Sequence, residues 1–416
     1  MLILLTILNI LNMVDRNLIA SFAPQITADL NLSDFEYGLL TGLLFVCFYA
    51  VMGLFVGRLA DRVSRPKLIA AGLALWSALT AVSGATKSFI QIGTARLFIG
   101  VGEACLTPAA MSMIADLYPQ HKRGAAAALY YLGIPLGAGA SFVVAGFLGP
   151  KIGWRNCFYL LGAIGLVLVP VIYFLREPKR GQFDAKPDDA LAKMGVFAAI
   201  GKVWQLCKQR PALKFAMLGA IFMNIAIAAG SFAILWLVRE RGFVEHEIQT
   251  IYGGLLLVFG VIGAILGGYL SDWYQARYPG GRMRLLAYLL IIITPFLISY
   301  RFAAPDSWLF YIAMCAGFVS FMAFFGPIYA TVQDLSPANM RGISIAVLLL
   351  VSNLIGVTVG GVSVGLLSEI YAASDVAQPL TWALFSVDLL GVFTIVCFWR
   401  GSVHFARDQE SIAGSA

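Results

Sequence analysis

The feature that most constrains this chain is a run of about twenty apolar residues that recurs with only short polar gaps, the length an α-helix needs to cross a bilayer core of roughly 30 Å. Such runs lie near 3–29, 35–57, 67–86, 88–117, 124–149, 153–175, 212–238, 248–271, 284–302, 307–333, 342–369 and 380–399. In lipid each backbone N–H and C=O must find a partner inside its own segment, so runs of this length are helices. Composition agrees. Of 416 residues, 60% are hydrophobic and 12% charged, about half the ~25% charged share of soluble domains. So few charges exclude an ordinary cytosolic enzyme, a nucleic-acid-binding protein and a disordered chain. The expected fold is an all-α polytopic membrane protein of twelve transmembrane helices.

Charge sets the expected orientation. Of 29 Lys and Arg, 21 fall in the gaps after even-numbered spans, the central loop and the C-terminal tail; 6 fall on the opposite side, and Arg16 and Arg96 lie inside spans. Acidic residues divide evenly, 10 and 9, with three inside spans. A bias confined to Lys and Arg is the positive-inside pattern. It places both termini in the cytoplasm of a bacterial-type inner or plasma membrane, with the basic face on anionic lipid rather than nucleic acid. Span 1 is too long, and lacks the n-region, for a cleaved signal peptide. The six cysteines lie in spans or the central loop, so no disulfide is expected.

The longest polar gap divides the chain into a bundle of six spans (1–175), a cytoplasmic linker with one surface-lying helix (176–211), a second bundle of six (212–400) and a tail (401–416). The halves share punctuation. GRLADRVSRPK follows span 2 and GGYLSDWYQARYPGGRMR follows span 8, aligning Gly57 with Gly268 and Asp61 with Asp272. DLYPQHKRG follows span 4 and DLSPANMRG follows span 10, aligning Asp116, Pro119, Arg123 and Gly124 with Asp334, Pro337, Arg341 and Gly342. This is a parallel six-span repeat, an architecture that secondary transporters use to place a substrate site between halves. Gly57 and Gly268 are expected to let neighbouring helices approach closely, and Asp61 has Arg65 one turn on.

These residues carry a family resemblance. GRLADRVSRPK is similar to the loop 2–3 signature of the major facilitator superfamily, although Ser64 and Pro66 depart from it, and Arg96, Gly100 and Gly102 match the Arg-x-x-x-Gly-x-Gly pattern of span 4. NMVDRNLIASFAPQI, ARLFIGVGEACLTPAAMSMIADLYP and YYLGIPLGAGASF further resemble the Spinster group of lipid transporters, within residues 10–145. The resemblance implies that Asp61, with Arg62 and Arg65 beside it, meets span 11 near Arg341 and that Asp272 meets span 5 near Arg123. These would be charge latches at helix N-termini that hold in one conformation and break in the other. A solvated loop is the plainer alternative.

Five ionisable residues fall within spans: Asp15, Arg16, Arg96, Glu103 and Asp388. Each costs several kcal/mol at mid-bilayer unless paired or hydrated. Arg16 and Glu103 sit at matching depths in spans 1 and 4, which both line the central cavity in the superfamily's fold. Arg16 offers a planar fork suited to phosphate, sulfate or carboxylate. A dry setting favours the neutral acid and a nearby cation the carboxylate, so Glu103 beside Arg16 suits proton coupling. In that reading, substrate anion and Glu103 compete for Arg16; a static salt bridge is the alternative. Asp15 should turn to a neighbouring helix, and Arg96 shares a face with Glu103 about 10 Å away. Asp388 reads as structural, with room for bound water beside it on span 12. The second half offers no such charge in spans 7, 10 or 11; its candidate cavity lining is Asn224, Tyr252, Phe321, Phe325, Tyr329 and Asn353.

Together these features imply a proton-coupled secondary transporter working by alternating access as a monomer, with no bound cofactor or metal. The expected substrate is an anionic amphiphile such as a sphingolipid or lysophospholipid; a small organic anion, a hydrophobic drug, or an uncoupled scramblase-like path are alternatives. A membrane enzyme is disfavoured, because His121, His246 and His404 all lie in loops or the tail and no nucleophile or carboxylate pair has useful spacing.

Overall fold

The computed structural model of the chain describes residues 1–182, 196–337 and 340–413, which are helices and short connections. The first pass is α1 (Leu2–Ser21) continued by α2 (Ala23–Asp29). The second is α3 (Asp34–Thr41) and α4 (Leu43–Arg62), started by a Ser33–Glu36 capping box. The third is α5 (Arg65–Gly84), and the fourth α6 (Phe89–Glu103) and α7 (Leu106–Leu117). Then come α8 (Gln120–Tyr131) and α9 (Gly133–Tyr173).

Among the described residues, eleven helical stretches are long and apolar enough to cross a membrane. One of them, 121–173, has 53 residues, about 80 Å of helix at 1.5 Å per residue and far more than one crossing needs. It breaks at Gly153, whose φ of 77° lies in the left-handed region open to glycine. The stretch therefore supplies the fifth and sixth passes, and the described residues make twelve passes.

The linker carries α10 (Val196–Gln209), followed by α11 (Pro211–Ala229), α12 (Ala233–Arg239), α13 (Glu245–Gln275), α14 (Gly281–Phe302), α15 (Trp308–Asp334), α16 (Arg341–Val351), a π-helical turn (Ser352–Val357), α17 (Thr358–Ala373) and α18 (Pro379–Ala413).

The helices gather into two units. The first holds residues 1–187 and 231–257. In it α1 and α5 lie along α9, and α6 packs on α4 and α5. The second holds 188–230 and 258–416. In it α11 and α14 lie along α18 around Phe324, Phe398, Met283 and Leu213, and α10 lays Val203, Leu206 and Cys207 into the same core.

Two boundaries differ from the sequence-based expectation. Residues 231–257 belong to the first unit because polar contacts tie them there. Tyr37 Oη donates to the Ser231 carbonyl (2.7 Å), Arg239 pairs with Asp34 (2.6 Å), and Gln249 Nε2 donates to the Ser21 carbonyl (2.8 Å). The expected tail is no separate segment either. Helix α18 runs through it to Ala413, with Phe405 buried and Asp408 accepting from the Ala212 amide (2.8 Å).

Candidate functional site

The charged residues of the first four passes converge in the first unit. Helix α6 ends at Glu103, and Ala104–Cys105 interrupt the pass before α7. Two glycines bring this stretch against its neighbours: a Cβ on Gly100 would stand 2.8 Å from the Phe45 carbonyl, and one on Gly102 2.8 Å from the Gly72 carbonyl. Glu103 is thus buried completely, and Arg16 on α1 reaches it. Arg16 Nε and Nη2 both donate to Glu103 Oε2, at 3.2 and 2.9 Å. The Arg16 side chain keeps 27% of its surface exposed and lies over the rings of Phe45 and Tyr49 on α4.

Arg96 does not bond Glu103. Its Nη2 donates to the Arg16 carbonyl (2.7 Å) and its guanidinium covers Phe45. Asp15 turns to α5, where Thr80 Oγ1 donates to its Oδ1 (2.7 Å), and it also feels Glu103 and Arg96 as its charged neighbours. Asp15 Oδ2, Glu103 Oε1 and Arg96 Nε are buried with no hydrogen-bond partner among the described residues. Two cations and two carboxylates thus balance, with one free oxygen left on each acid.

In the second unit Asn224, Phe325, Tyr329 and Asn353 line one pocket with Ser352. Two expected lining residues stand elsewhere. Tyr252 is buried in the first unit edge-on to Phe142, and Phe321 contacts Phe325 without lining the pocket. Asp388, read from sequence as structural, pairs with Arg301, whose Nε donates at 2.7 Å.

The loop motifs build two ionic clusters. Arg65 is buried; its Nη1 bonds Asp116 and Ser112, its Nε donates to Glu177 (3.0 Å), and its Nη2 donates to the Pro178 carbonyl (3.0 Å). Burial pushes the Glu177 carboxyl up, but hydrogen bonds from Arg65, Arg180 and Ser64 outweigh it and hold the group below the usual glutamate range. In the second unit Arg282 takes the equivalent place, pairing with Asp272 (2.8 Å) and Asp334 (2.5 Å).

Other loop residues play smaller parts. Arg123 Nε donates to the Tyr118 carbonyl (3.1 Å), and Arg62 and Arg341 are exposed. The surroundings of Gly57 and the Asp61 side chain lie outside what is described. Gly268 does not mediate close packing: a Cβ there would meet nothing among the described residues, whereas one on Gly267 would stand 2.5 Å from Ala323. The roles of Asp116, Asp334, Glu177 and Arg282 were missed from sequence. The repeat aligns Asp116 with Asp334 and was the available signal.

Comparison with known proteins follows this geometry. A profile of the Major Facilitator Superfamily matches residues 5–361. An "MFS-type efflux pump" of Mycolicibacterium smegmatis is 30% identical over 97% of this chain and 92% of its own. A "probable sphingolipid transporter spinster homolog 1" of Arabidopsis thaliana is 26% identical over 82% of this chain and 77% of its own. The crystal structure of a bacterial homologue of the human lysosomal transporter Spinster, inward-facing and unoccupied, superposes with a TM-score of 0.86 at 26% identity, covering 98% of this chain and 97% of that one. With twelve helical passes, a repeated loop signature and an arginine–glutamate pair inside its first unit, the chain belongs to the Major Facilitator Superfamily and resembles its Spinster members.

Proposed function

We propose that this transporter moves an anionic amphiphile together with a proton. One observation carries the reading: Arg16, partly exposed and with a fork suited to an oxyanion, is held by a single oxygen of a fully buried Glu103. Protonation of Glu103 turns an ion pair into a weaker contact between the guanidinium cation and a neutral acid, and frees the guanidinium for substrate. Deprotonation returns the carboxylate as competitor and releases the substrate. Asp15, whose free oxygen is also buried, is the second acid able to take the proton. Alternating access then exposes the site to each side of the membrane in turn.

The lipid assignment draws on the likeness to the Arabidopsis relative. A second reading, export of hydrophobic drugs, is favoured by the likeness to the mycobacterial efflux pump. Proteoliposomes decide between coupling and leak: a phosphate-headed single-chain lipid accumulates against its gradient under an imposed pH gradient, and dissipation alone would support a scramblase. Glu103→Gln abolishes the pH dependence of uptake; unchanged pH dependence removes Glu103 as the coupling group. Accumulation of an uncharged drug with no response to Arg16→Ala would favour the export reading.

A further inference from the structure

Arg284 of the second unit is fixed in place and yet meets no carboxylate. It lies on the first turn of α14, two residues after Arg282, so the two side chains leave the helix about 200° apart. Arg282 turns to Asp272 and Asp334. Arg284 turns the other way, to α18. Its Nε donates to Ser402 Oγ (3.2 Å), and its Cζ stands 5.6 Å from the centroid of the Trp399 ring. Among the described residues, no acceptor takes its Nη1 or Nη2 and no acid pairs with it. An arginine that only snorkels leaves its side chain free. This one is held, with the two outer nitrogens of a phosphate-binding fork presented outward.

The helix faces set what those nitrogens meet. Helices α14 and α18 pack along each other. Beyond Arg284, α14 exposes Tyr288 and Ile292, and before Trp399, α18 exposes Val392 and Val396. Tyr288 and Trp399 meet edge-on, with ring centroids 5.7 Å apart. Two apolar stripes thus end together in an aromatic pair and a cation, the composition of a membrane interface. Past Trp399, the exposed sector of α18 continues with Arg400, Val403 and Arg407, all within about 100° of it, while Gly401, Ser402, Phe405 and Asp408 are buried on the other side. No acid neutralises the sector near Trp399: Asp408 turns to the Ala212 amide, and Glu410 lies about three turns further on.

The repeat places the same pairing in the first unit. Lys67 follows Arg65 by two residues, as Arg284 follows Arg282, and its Nζ stands 5.4 Å from the ring centroid of Tyr173 at the end of α9. There the cation is an exposed ammonium, a point charge rather than a fork.

The geometry points to a site on the surface of the second unit, formed by Arg284, Trp399 and Arg400, for the headgroup phosphate of an anionic membrane phospholipid. Its acyl chains lie along the apolar stripes of α14 and α18. A free phosphate would meet the cations and gain nothing from the stripes. The positive-inside bias predicts that this end faces the cytoplasm, where anionic lipid is concentrated. The site belongs to a different unit from the Arg16–Glu103 pair and does not rest on the reading of the transported substrate.

The test titrates the full-length protein in detergent with phosphatidylglycerol and with phosphatidylcholine of equal chain length, and counts bound lipid by native mass spectrometry. The wild type holds one phosphatidylglycerol about fivefold more tightly than phosphatidylcholine, the preference expected of one cation beside an anionic lipid. Arg284→Gln brings the ratio to about one. Equal wild-type affinities overturn the site even if the variant does not fold, and a preference that survives Arg284→Gln overturns its assignment to this arginine. Arg277→Ala removes the same charge from an exposed position beside Trp273, away from the two stripes, and leaves the preference unchanged. An equal loss there would reduce the effect to net surface charge and overturn the site. Millimolar inorganic phosphate leaves the lipid bound; its displacement would make the occupant a free anion and overturn the lipid assignment.

Discussion

At the scale of single residues, the first unit's charge balance makes Arg16 more than a cation. Its planar fork meets Glu103 with two N–H groups, and a lysine ammonium cannot reproduce that two-point contact or the stacking on Phe45 and Tyr49. Arg16→Lys is therefore expected to keep the fold and weaken binding of a phosphate amphiphile about tenfold, read by equilibrium titration. The balance also constrains stoichiometry. Asp15 and Glu103 offset Arg16 and Arg96, so a bound monoanion adds one uncompensated charge to a desolvated cluster unless one proton arrives with it. Uptake of a monoanion should then follow a pH gradient and ignore an imposed potassium diffusion potential; current accompanying uptake in solid-supported membranes would refute one-to-one coupling. Arg16 and Glu103 were legible in the sequence because an ionised group in a twenty-residue apolar run is costly and therefore conspicuous. Their partners were less so. That Asp388 meets Arg301, or that Arg65 meets Glu177, depends on contacts between residues 87 and 112 positions apart, which no local pattern encodes.

At the scale of elements, the site depends on how closely α6 approaches α5. A Cβ on Gly72 would stand 2.6 Å from both the Gly102 carbonyl and Cys105 Cβ, and the Gly102 position is equally tight against Gly72 and Trp76. Backbone lies on each side, so neither contact can relax by a rotamer change. Gly72→Val should separate the helices at the level of Glu103, destabilise the protein by about 1–3 kcal/mol as overpacking does, and lower Tm in detergent. It should also weaken substrate binding, because Glu103 shifts relative to Arg16; an unchanged Tm would show that the interface is looser than its glycines require. Hydropathy disclosed the passes because each is continuous and apolar, and it located the division of 121–173 because Gly149, Pro150 and Gly153 stand together there. It did not disclose the π-turn at Ser352–Val357, because the sequence SNLIGV carries no proline or other local break that marks a change of helical register. Nor did it show that 231–257 joins the first unit, since that follows from side-chain contacts rather than from periodicity.

At the scale of the whole molecule, the linker is fastened at both ends, and its fastenings make the orientation testable. Its start is tied to the first unit. Besides the bonds of Glu177 and Pro178 with Arg65, Arg180 Nη2 donates to the carbonyls of Ala60 (3.1 Å) and Val63 (2.5 Å), and the Gly181 amide donates to Asp116 (2.9 Å). Its other end is tied to the second unit through the buried face of α10 and through Arg210, which donates to the Leu335 carbonyl (2.9 Å). Glu177 joins Arg65 to Arg180 as a carboxylate. Because its folded value lies below the usual range, its contribution is present above that range and is lost as pH falls through the lowered value. At neutral pH the start of the linker is therefore held. Cleavage by trypsin after Arg180, followed by fragment mass, should be slow in the wild type and about tenfold faster in Glu177→Gln, which keeps the side chain's shape and removes its charge. The same assay reads the side of the membrane. The positive-inside bias predicts a cytoplasmic Arg180, so on that expectation added trypsin cuts after it in inverted vesicles and leaves it intact in right-side-out ones. Cutting only in right-side-out vesicles would reverse the topology, whereas correct sidedness with no effect of Glu177→Gln would leave the orientation standing and show that the strap does not depend on that charge.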